Sequence, residues 1–347
     1  MLADLVLKAL IAMAPVLILL MVFDRLDVFN LIPIRDIALL TAVGAGLALV
    51  SYLVNWRVME GFPIGWGPFT RYVAPPIEEA LKAAPIIYLF SRNRLGFKLD
   101  AAIAGFAIGA GFSVAENAWY LLTLTGTNVT DWLVRGFGTA VMHGAATALF
   151  AVIAHEMSET QSESAAAHYE FKPLLFLPGF VVAVVIHSVF NHFPQQPLVA
   201  MVLTLLLAPA TLFLTLARSE SATRAWLTRD AAAHREMLAA IRAGHFAESK
   251  AGAMLHEIGA VGAFSEAELM AYAELKMEMV LRAEELILAS HEGGADVAGE
   301  AEREKLRKLT AMGERLGAAV TAAIDSRLGF SRNDLYELSR LKARLGI

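Results

Sequence analysis

Two adjacent carboxylates and a lysine open the chemistry of this chain. In Pro75-Pro76-Ile77-Glu78-Glu79-Ala80-Leu81-Lys82, Lys82 stands four residues after Glu78 and three after Glu79, so on a helix it can pair with either one. The proline pair suits a helix start, and the positive end of a helix favours acids. Further along, Phe112-Ser113-Val114-Ala115-Glu116-Asn117 sets an acid beside an amide, and His143 follows among Gly144, Ala145, Ala146 and Thr147, small neighbours that permit close approach. His187-Ser188-Val189-Phe190-Asn191 stacks an imidazole and an amide on one helix face. Carboxylates, imidazoles, an amide and a lysine are the inventory of water-driven hydrolysis: a base for the water, a donor for a developing oxyanion, and an acid for a leaving amine.

The elements that carry these groups are apolar. Of 347 residues 57% are hydrophobic and 18% charged, and the mean hydropathy is +0.54, which argues against an ordinary soluble enzyme. Lys, Arg, Asp and Glu make up 25 of residues 1–217 but 38 of residues 218–347, two solvents for two parts of one chain. A bilayer core takes roughly 20 apolar helical residues to cross. About seven such stretches occur, near 5–23, 37–54, 72–90, 101–123, 134–155, 173–193 and 197–217. The expected fold is therefore all-α: a polytopic transmembrane helix bundle over 1–217, followed by a small soluble helical domain over 218–347.

A charge inside a span costs roughly 2.5–3.5 kcal/mol, so an intramembrane ionisable group suggests function. Singly, each has a plainer explanation: a Glu78–Lys82 pair with Glu79 as an interfacial cap, a packing hydrogen bond for Glu116, a satisfied core histidine for His143. Depth argues otherwise. At about 1.5 Å per residue, Glu78 and Glu79 lie roughly 9 Å from the outer end of their span, Glu116 about 10 Å, His143 about 14 Å and His187 about 9 Å, with Asn191 shallower. Four alternating helices thus bring their polar groups to one level in the outer half of the membrane. Gly105, Gly109 and Gly111 give the fourth span a small-residue surface suited to close helix packing.

Orientation follows from the basic residues of short loops. Arg25, Arg35, Arg92, Arg94, Lys98, Lys172 and Arg218, Arg224 and Arg229 fall on one side, against Lys8, Arg57, Arg71 and Arg135 on the other, which places the C-terminus in the cytoplasm and the N-terminus outside. The first apolar run is followed by Asp24-Arg25 and not by a small-residue cleavage site, so it reads as a retained span. Zero cysteines exclude disulfides, thiolate metal sites and cysteine nucleophiles. The formal charge of −5 argues against nucleic acid as a partner.

From Arg218 onward the chain turns charged, alanine-rich and helical in period, as in Leu335, Leu338, Leu341 and Leu345. Phe264-Ser265-Glu266-Ala267-Glu268-Leu269 and Phe330-Ser331-Arg332-Asn333-Asp334-Leu335 each open a helix with a serine cap, an acid three residues on and a phenylalanine staple. Ser290 to Glu302, with Gly293, Gly294 and Gly299, reads as a flexible loop. No catalytic motif is evident here, and His168, His234, His245, His256 and His291, like His155 and His192 at span ends, receive no role. Size and capping suggest a regulatory domain or a docking site for a cytoplasmic partner. The loop expected at 55–71 carries Gly61, Phe62, Gly65, Trp66, Gly67 and Phe69, either a gate or plain surface.

Glu-Glu-x-x-Lys, then Phe-x-x-x-Glu-Asn, a histidine on the next span and His-x-x-x-Asn on the one after together resemble the PrsW family of bacterial intramembrane proteases, related to the type II CAAX prenyl endopeptidases. The resemblance covers roughly residues 70–195. In the CAAX enzymes the first motif usually ends in Arg and the second carries His, so Lys82 and Glu116 fit the PrsW branch. The resemblance implies an endopeptidase of the bacterial cytoplasmic membrane that cleaves a membrane-anchored protein, such as an anti-sigma factor at its first cut, and it implies the label metalloprotease.

Within that reading Glu78 or Glu79 is the general base, and His143 and His187 position water or stabilise the oxyanion. Asn191 is a further donor, Lys82 tunes the Glu pair, and Glu116 is a supporting acid or a ligand. His143, His187 and Glu116 also form a candidate ligand set for Zn²⁺, which takes His and carboxylate and lowers the pKa of water to about 7. No His-Glu-x-x-His helix is present, so the sequence compels no cofactor and leaves glutamate-only and metal-dependent mechanisms both open. A proton-coupled transporter would also cluster Glu, Lys and His, but the inner half of the spans is nearly free of ionisable groups and no internal repeat is evident. A non-catalytic scaffold of the same fold would have no need of Glu79, His143 and His187 together.

Overall fold

The computed structural model describes residues 2–26, 32–164, 172–193, 196–245, 264–291 and 298–347. Among them every regular element is helical, as expected of an all-α chain. The helices form two compact units, one of residues 1–159 and 171–219, the other of residues 160–170 and 220–347.

The first unit contains α1 (Leu2–Leu26), α2 (Ile34–Gly61), α3 (Ala74–Ser91), α4 (Lys98–Thr123), α5 (Ala140–Ser164) as far as Glu159, α6 (Leu177–Phe190) and the first part of α7 (Pro197–Arg242). Among the described residues six helical segments are long and apolar enough to cross a membrane: Ala3–Val22, Ile34–Gly61, Lys98–Thr123, Val129–Ser158, Pro173–Phe190 and Pro197–Leu214. The stretch near 72–90 is helical too, but Glu78, Glu79 and Lys82 lie within the 18 residues of α3, so it does not count as apolar. Boundaries also shift. The second helix reaches Gly61, taking in residues 55–61 of the expected loop, and α7 continues past 217 to Arg242.

α4 is the centre of this unit. From Asp100 to Ser113 every residue is buried, and Ile103, Phe106, Ala107, Ile108 and Ala110 pack in one core with Val16 of α1, Ile86 and Phe90 of α3, and Phe150 of α5. Around it, α1, α2, α6 and α7 turn Leu10, Met21, Leu39, Leu53, Val185, Leu206 and Leu207 outward, the apolar surface a bilayer covers. The glycines of α4 permit its contacts. A Cβ on Gly109 would stand 2.3 Å from the carbonyl oxygen of His143, so only hydrogen fits where α4 crosses α5.

The second unit is built on α8 (Glu266–His291), α9 (Glu300–Leu316), α10 (Ala318–Leu328) and α11 (Arg332–Arg344), with Glu220–Arg242 of α7. Leu269, Ala273, Met277 and Val280 of α8 bury against Leu306, Leu309, Ile324, Leu338 and Leu341. Both expected capping boxes form. Ser265 N–H donates to Glu268 at 3.0 Å and Ser331 N–H to Asp334 at 2.6 Å, and each acid's own N–H donates back to the serine hydroxyl. Of the expected loop at Ser290–Glu302, residues 292–297 lie outside the described residues, as do His168 and His256.

Candidate active site

The site begins with the irregular entry to α3. Residues Phe69–Val73 form a wide helical turn in which Ala74 N–H donates to the Phe69 carbonyl. The next two residues, Pro75 and Pro76, have no N–H, so the Thr70 carbonyl finds no donor in its own helix. Asn191, at the C-terminal end of α6, supplies one, its Nδ2 lying 2.8 Å from Thr70 O. Through this bond Asn191 ties α6 to the start of the helix that carries the Glu pair.

One turn into α3, Glu79 and Lys82 point inward and are 2% and 0% exposed. Lys82 Nζ donates to Glu79 Oε1 at 2.6 Å and to His143 Nδ1 at 2.9 Å, and it stands 4.7 Å above the Phe112 ring. Both polar contacts and the ring thus hold an ammonium that would otherwise be untenable at this depth. Of the two pairings the spacing allows, the structure takes the three-residue one. Glu79 Oε1 also accepts the Nδ1 hydrogen of His187 at 2.8 Å, which turns His187 Nε2 toward Glu78 Oε2, 3.9 Å away. Glu78 is steadied on its other oxygen by Asn55 Nδ2 at 3.2 Å, and Asn55 also reaches Ser51.

The second acid stands on the far side of His143. Glu116 Oε2 lies 3.4 Å from His143 Nε2 and 3.1 Å from Arg135 Nη2. Arg135 also donates through Nε to Asn117 Oδ1 at 2.8 Å and lies 4.0 Å from the Tyr120 ring, while Asn117 Nδ2 donates to Ala12 O at 2.9 Å. The two imidazoles meet edge to face, with centroids 4.7 Å apart.

Glu78, Glu79, Lys82, Glu116, His143 and His187 are therefore one connected group. Asn55 and Arg135 complete it and were missed. Asn55 falls where the sequence suggests a loop, and Arg135 reads as a span-edge charge. The available signal for Arg135 was Glu116-Asn117-x-x-Tyr120, an acid, an amide and a ring on one helix face that a guanidinium can join. Two histidines at span ends are also placed: His155 is buried with Nε2 2.8 Å from Gly96 O, and His192 Nε2 meets the Tyr72 hydroxyl at 2.8 Å.

The donor set suits a metal. Glu78, His143 and His187 can each offer one ligand atom, all within 4.8 Å of one another, so a carboxylate–imidazole set includes Glu78 where the sequence suggested Glu116. Two imidazoles and a carboxylate are the protein ligand set of a catalytic zinc site. His187 fits as it stands, since a carboxylate on Nδ1 is the usual support for metal at Nε2. His143 carries a condition. Its Nδ1 accepts from Lys82, so its proton sits on Nε2, and it becomes a ligand there only when the His143–Lys82 pair gives up a proton.

Residues 33–216 match the family model described as PrsW family intramembrane metalloprotease. No curated protein and no solved structure matches the chain.

Proposed function

The chain belongs to the PrsW family of intramembrane metalloproteases, and from that premise we propose that Glu78, His187 and His143 hydrolyse a peptide bond of a membrane-anchored protein. The observation that carries this reading is the turned imidazole of His187, fixed through Nδ1 by Glu79 with Nε2 3.9 Å from Glu78 Oε2. A water hydrogen-bonded to both spans such a gap.

In this reading Glu78 takes the proton from the water and later returns it to the leaving amine. His143, held at Nδ1 by Lys82, shares its Nε2 hydrogen between Glu116 and the oxyanion. Glu79 and Lys82 do not react but fix both imidazoles. Asn191 acts at one remove, holding the entry of α3. A metal ion held by Glu78, His187 and His143 would supply Lewis-acid stabilisation and a more acidic water. The tautomer that Lys82 imposes on His143 favours the second, glutamate-only reading, in which that ring donates and does not ligate.

The substrate class we propose is a single-pass membrane protein of the anti-sigma type, cut at a first site. The same motifs support kinship with the type II CAAX endopeptidases. With α3 counted as a crossing, the loop charges put the N-terminus outside and the C-terminus in the cytoplasm of a bacterial cytoplasmic membrane, where residues 218–347 gate the protease or recruit a partner.

The test compares new protein N-termini in membranes of cells carrying the wild type, Glu78→Gln, Glu79→Gln or His187→Ala, with and without a chelator. Termini near a membrane anchor should vanish in all three variants. Loss on chelation with recovery on Zn²⁺ supports the metal reading, and insensitivity supports the glutamate-only one. Identical termini in every strain refute the protease assignment of these residues.

A further inference from the structure

The second unit holds a buried polar cluster that the protease chemistry does not use. Asp230 and His234 are one turn apart on α7, Glu284 lies on α8, and Asp334 and Glu337 are three residues apart on α11. His234, Glu284, Asp334 and Glu337 are 5%, 0%, 1% and 1% exposed. Nothing in the sequence separates them from ordinary surface charge, because the three segments are joined only by folding.

Four acids meet here with one imidazole. His234 Nδ1 is 2.6 Å from Glu284 Oε1, and its Nε2 is 3.8 Å from Asp334 Oδ2. Asp230, His234, Glu284 and Asp334 each offer a ligand atom, all within 4.8 Å of one another. Glu337 is a separate observation. Both its carboxylate oxygens are buried without a hydrogen-bond partner, and its charge bears on Glu284, Asp334 and Asp230. Asp230 Oδ2, Glu284 Oε2 and Asp334 Oδ1 also lack partners, and among the described residues no lysine or arginine pairs with any of the four acids. Burial first, then the neighbouring acids, raises Glu337 well above the ordinary carboxyl range, and burial followed by Asp230 raises Asp334 to about 8. Carboxylates so placed resist ionising together unless a cation joins them.

We propose that this unit binds a divalent first-row transition-metal ion through Asp230, His234, Glu284 and Asp334, with Glu337 as an additional carboxylate. One imidazole among hard oxygen donors selects Mn²⁺, Fe²⁺ or Zn²⁺ over Mg²⁺ and Ca²⁺, which do not seek nitrogen, and over Cu⁺, which seeks sulfur. Carboxylate and imidazole donors projecting inward from several helices are how helical bundles build carboxylate metal centres. The ion joins α7, α8 and α11. This site is independent of the protease reading.

The test uses the full-length protein in detergent, stripped with chelator and dialysed against Mn²⁺ or Zn²⁺. His187→Ala is the reference chain, because it takes one of the three donors from the membrane-embedded set. The reference should retain one ion per chain and melt higher with it. Adding Asp230→Asn or Glu337→Gln should weaken binding ten- to a hundredfold, and adding His234→Gln should abolish it. The two amide variants keep side-chain volume and replace a carboxyl that has to ionise to bind the ion with an amide that cannot, so their metal-free melting should stay level or rise while the metal-induced rise is lost. A reference chain that holds no ion overturns the site. So do amide variants that bind Mn²⁺ and Zn²⁺ as tightly as the reference.

Discussion

Asn191 Nδ2 and the Thr70 carbonyl, 2.8 Å apart, join α6 to the turn before α3, and the bond exists because Pro75 has no N–H to offer that carbonyl. Removing it with Asn191→Ala leaves a partly buried carbonyl unsatisfied, at about 1 kcal/mol. Cleavage of a membrane reporter should fall about tenfold as the Glu pair loses its register. Pro75→Ala restores a backbone donor, so the double variant should recover part of the loss. Additive losses would show that Asn191 acts by other means.

Glu78 and Glu79, adjacent in sequence, should differ sharply when replaced. Glu79 Oε1 receives both Lys82 and His187, so Glu79→Gln strands a buried ammonium, a loss of about 3–5 kcal/mol in stability. Glu78 has only the Asn55 amide and the His187 edge, so Glu78→Gln should fold nearly as the wild type while cleaving at least a hundredfold more slowly. Melting curves beside reporter cleavage separate the two. Equal destabilisation would remove the distinction between a reacting and a supporting carboxylate.

Arg135 offers a third comparison. It pairs with Glu116, donates to Asn117 and stacks on Tyr120, three contacts that suit a planar guanidinium. Arg135→Lys keeps the charge but not the fork, and cleavage should drop roughly ten- to a hundredfold, as when an outer partner of a reactive histidine is lost. Arg135→Met should cost more, since it leaves Glu116 uncompensated beside His143. Full activity in Arg135→Lys would mean that charge alone matters there.

What could be read from the chain was whatever helical periodicity fixes. The apolar spans, the Ser265 and Ser331 caps and the four helices bearing Glu78, Glu116, His143 and His187 follow from local spacing. The pairings do not. Lys82 can reach Glu78 or Glu79 equally by spacing, and only the packing of α5 against α3, which brings His143 Nδ1 to Lys82, settles the choice for Glu79. Asn55 and Arg135 were hidden because each sits where an apolar run ends, a position at which polar residues are ordinary. The cluster around His234 was hidden because its ligands come from α7, α8 and α11, with about a hundred residues between the first and the last.

The backbone that sets His143 in place yields the last prediction. Gly109 of α4 lies under the His143 carbonyl, and a Cβ there would come within 2.3 Å of that oxygen. Because the obstacle is backbone, relief requires α4 and α5 to separate, and overpacking of this kind costs about 1–3 kcal/mol. A shift of about 1 Å in a reacting group costs about a hundredfold in rate. Gly109→Ala should therefore lower the melting temperature in detergent and reduce cleavage about a hundredfold, although the methyl touches no reacting atom. Gly46→Ala on α2, where a Cβ would meet nothing within 4 Å, is the control and should leave cleavage unchanged and the melting temperature level or slightly higher. If Gly109→Ala cleaves like Gly46→Ala, the close crossing of α4 and α5 does not position His143, and the ring is held by Lys82 and Glu116 alone.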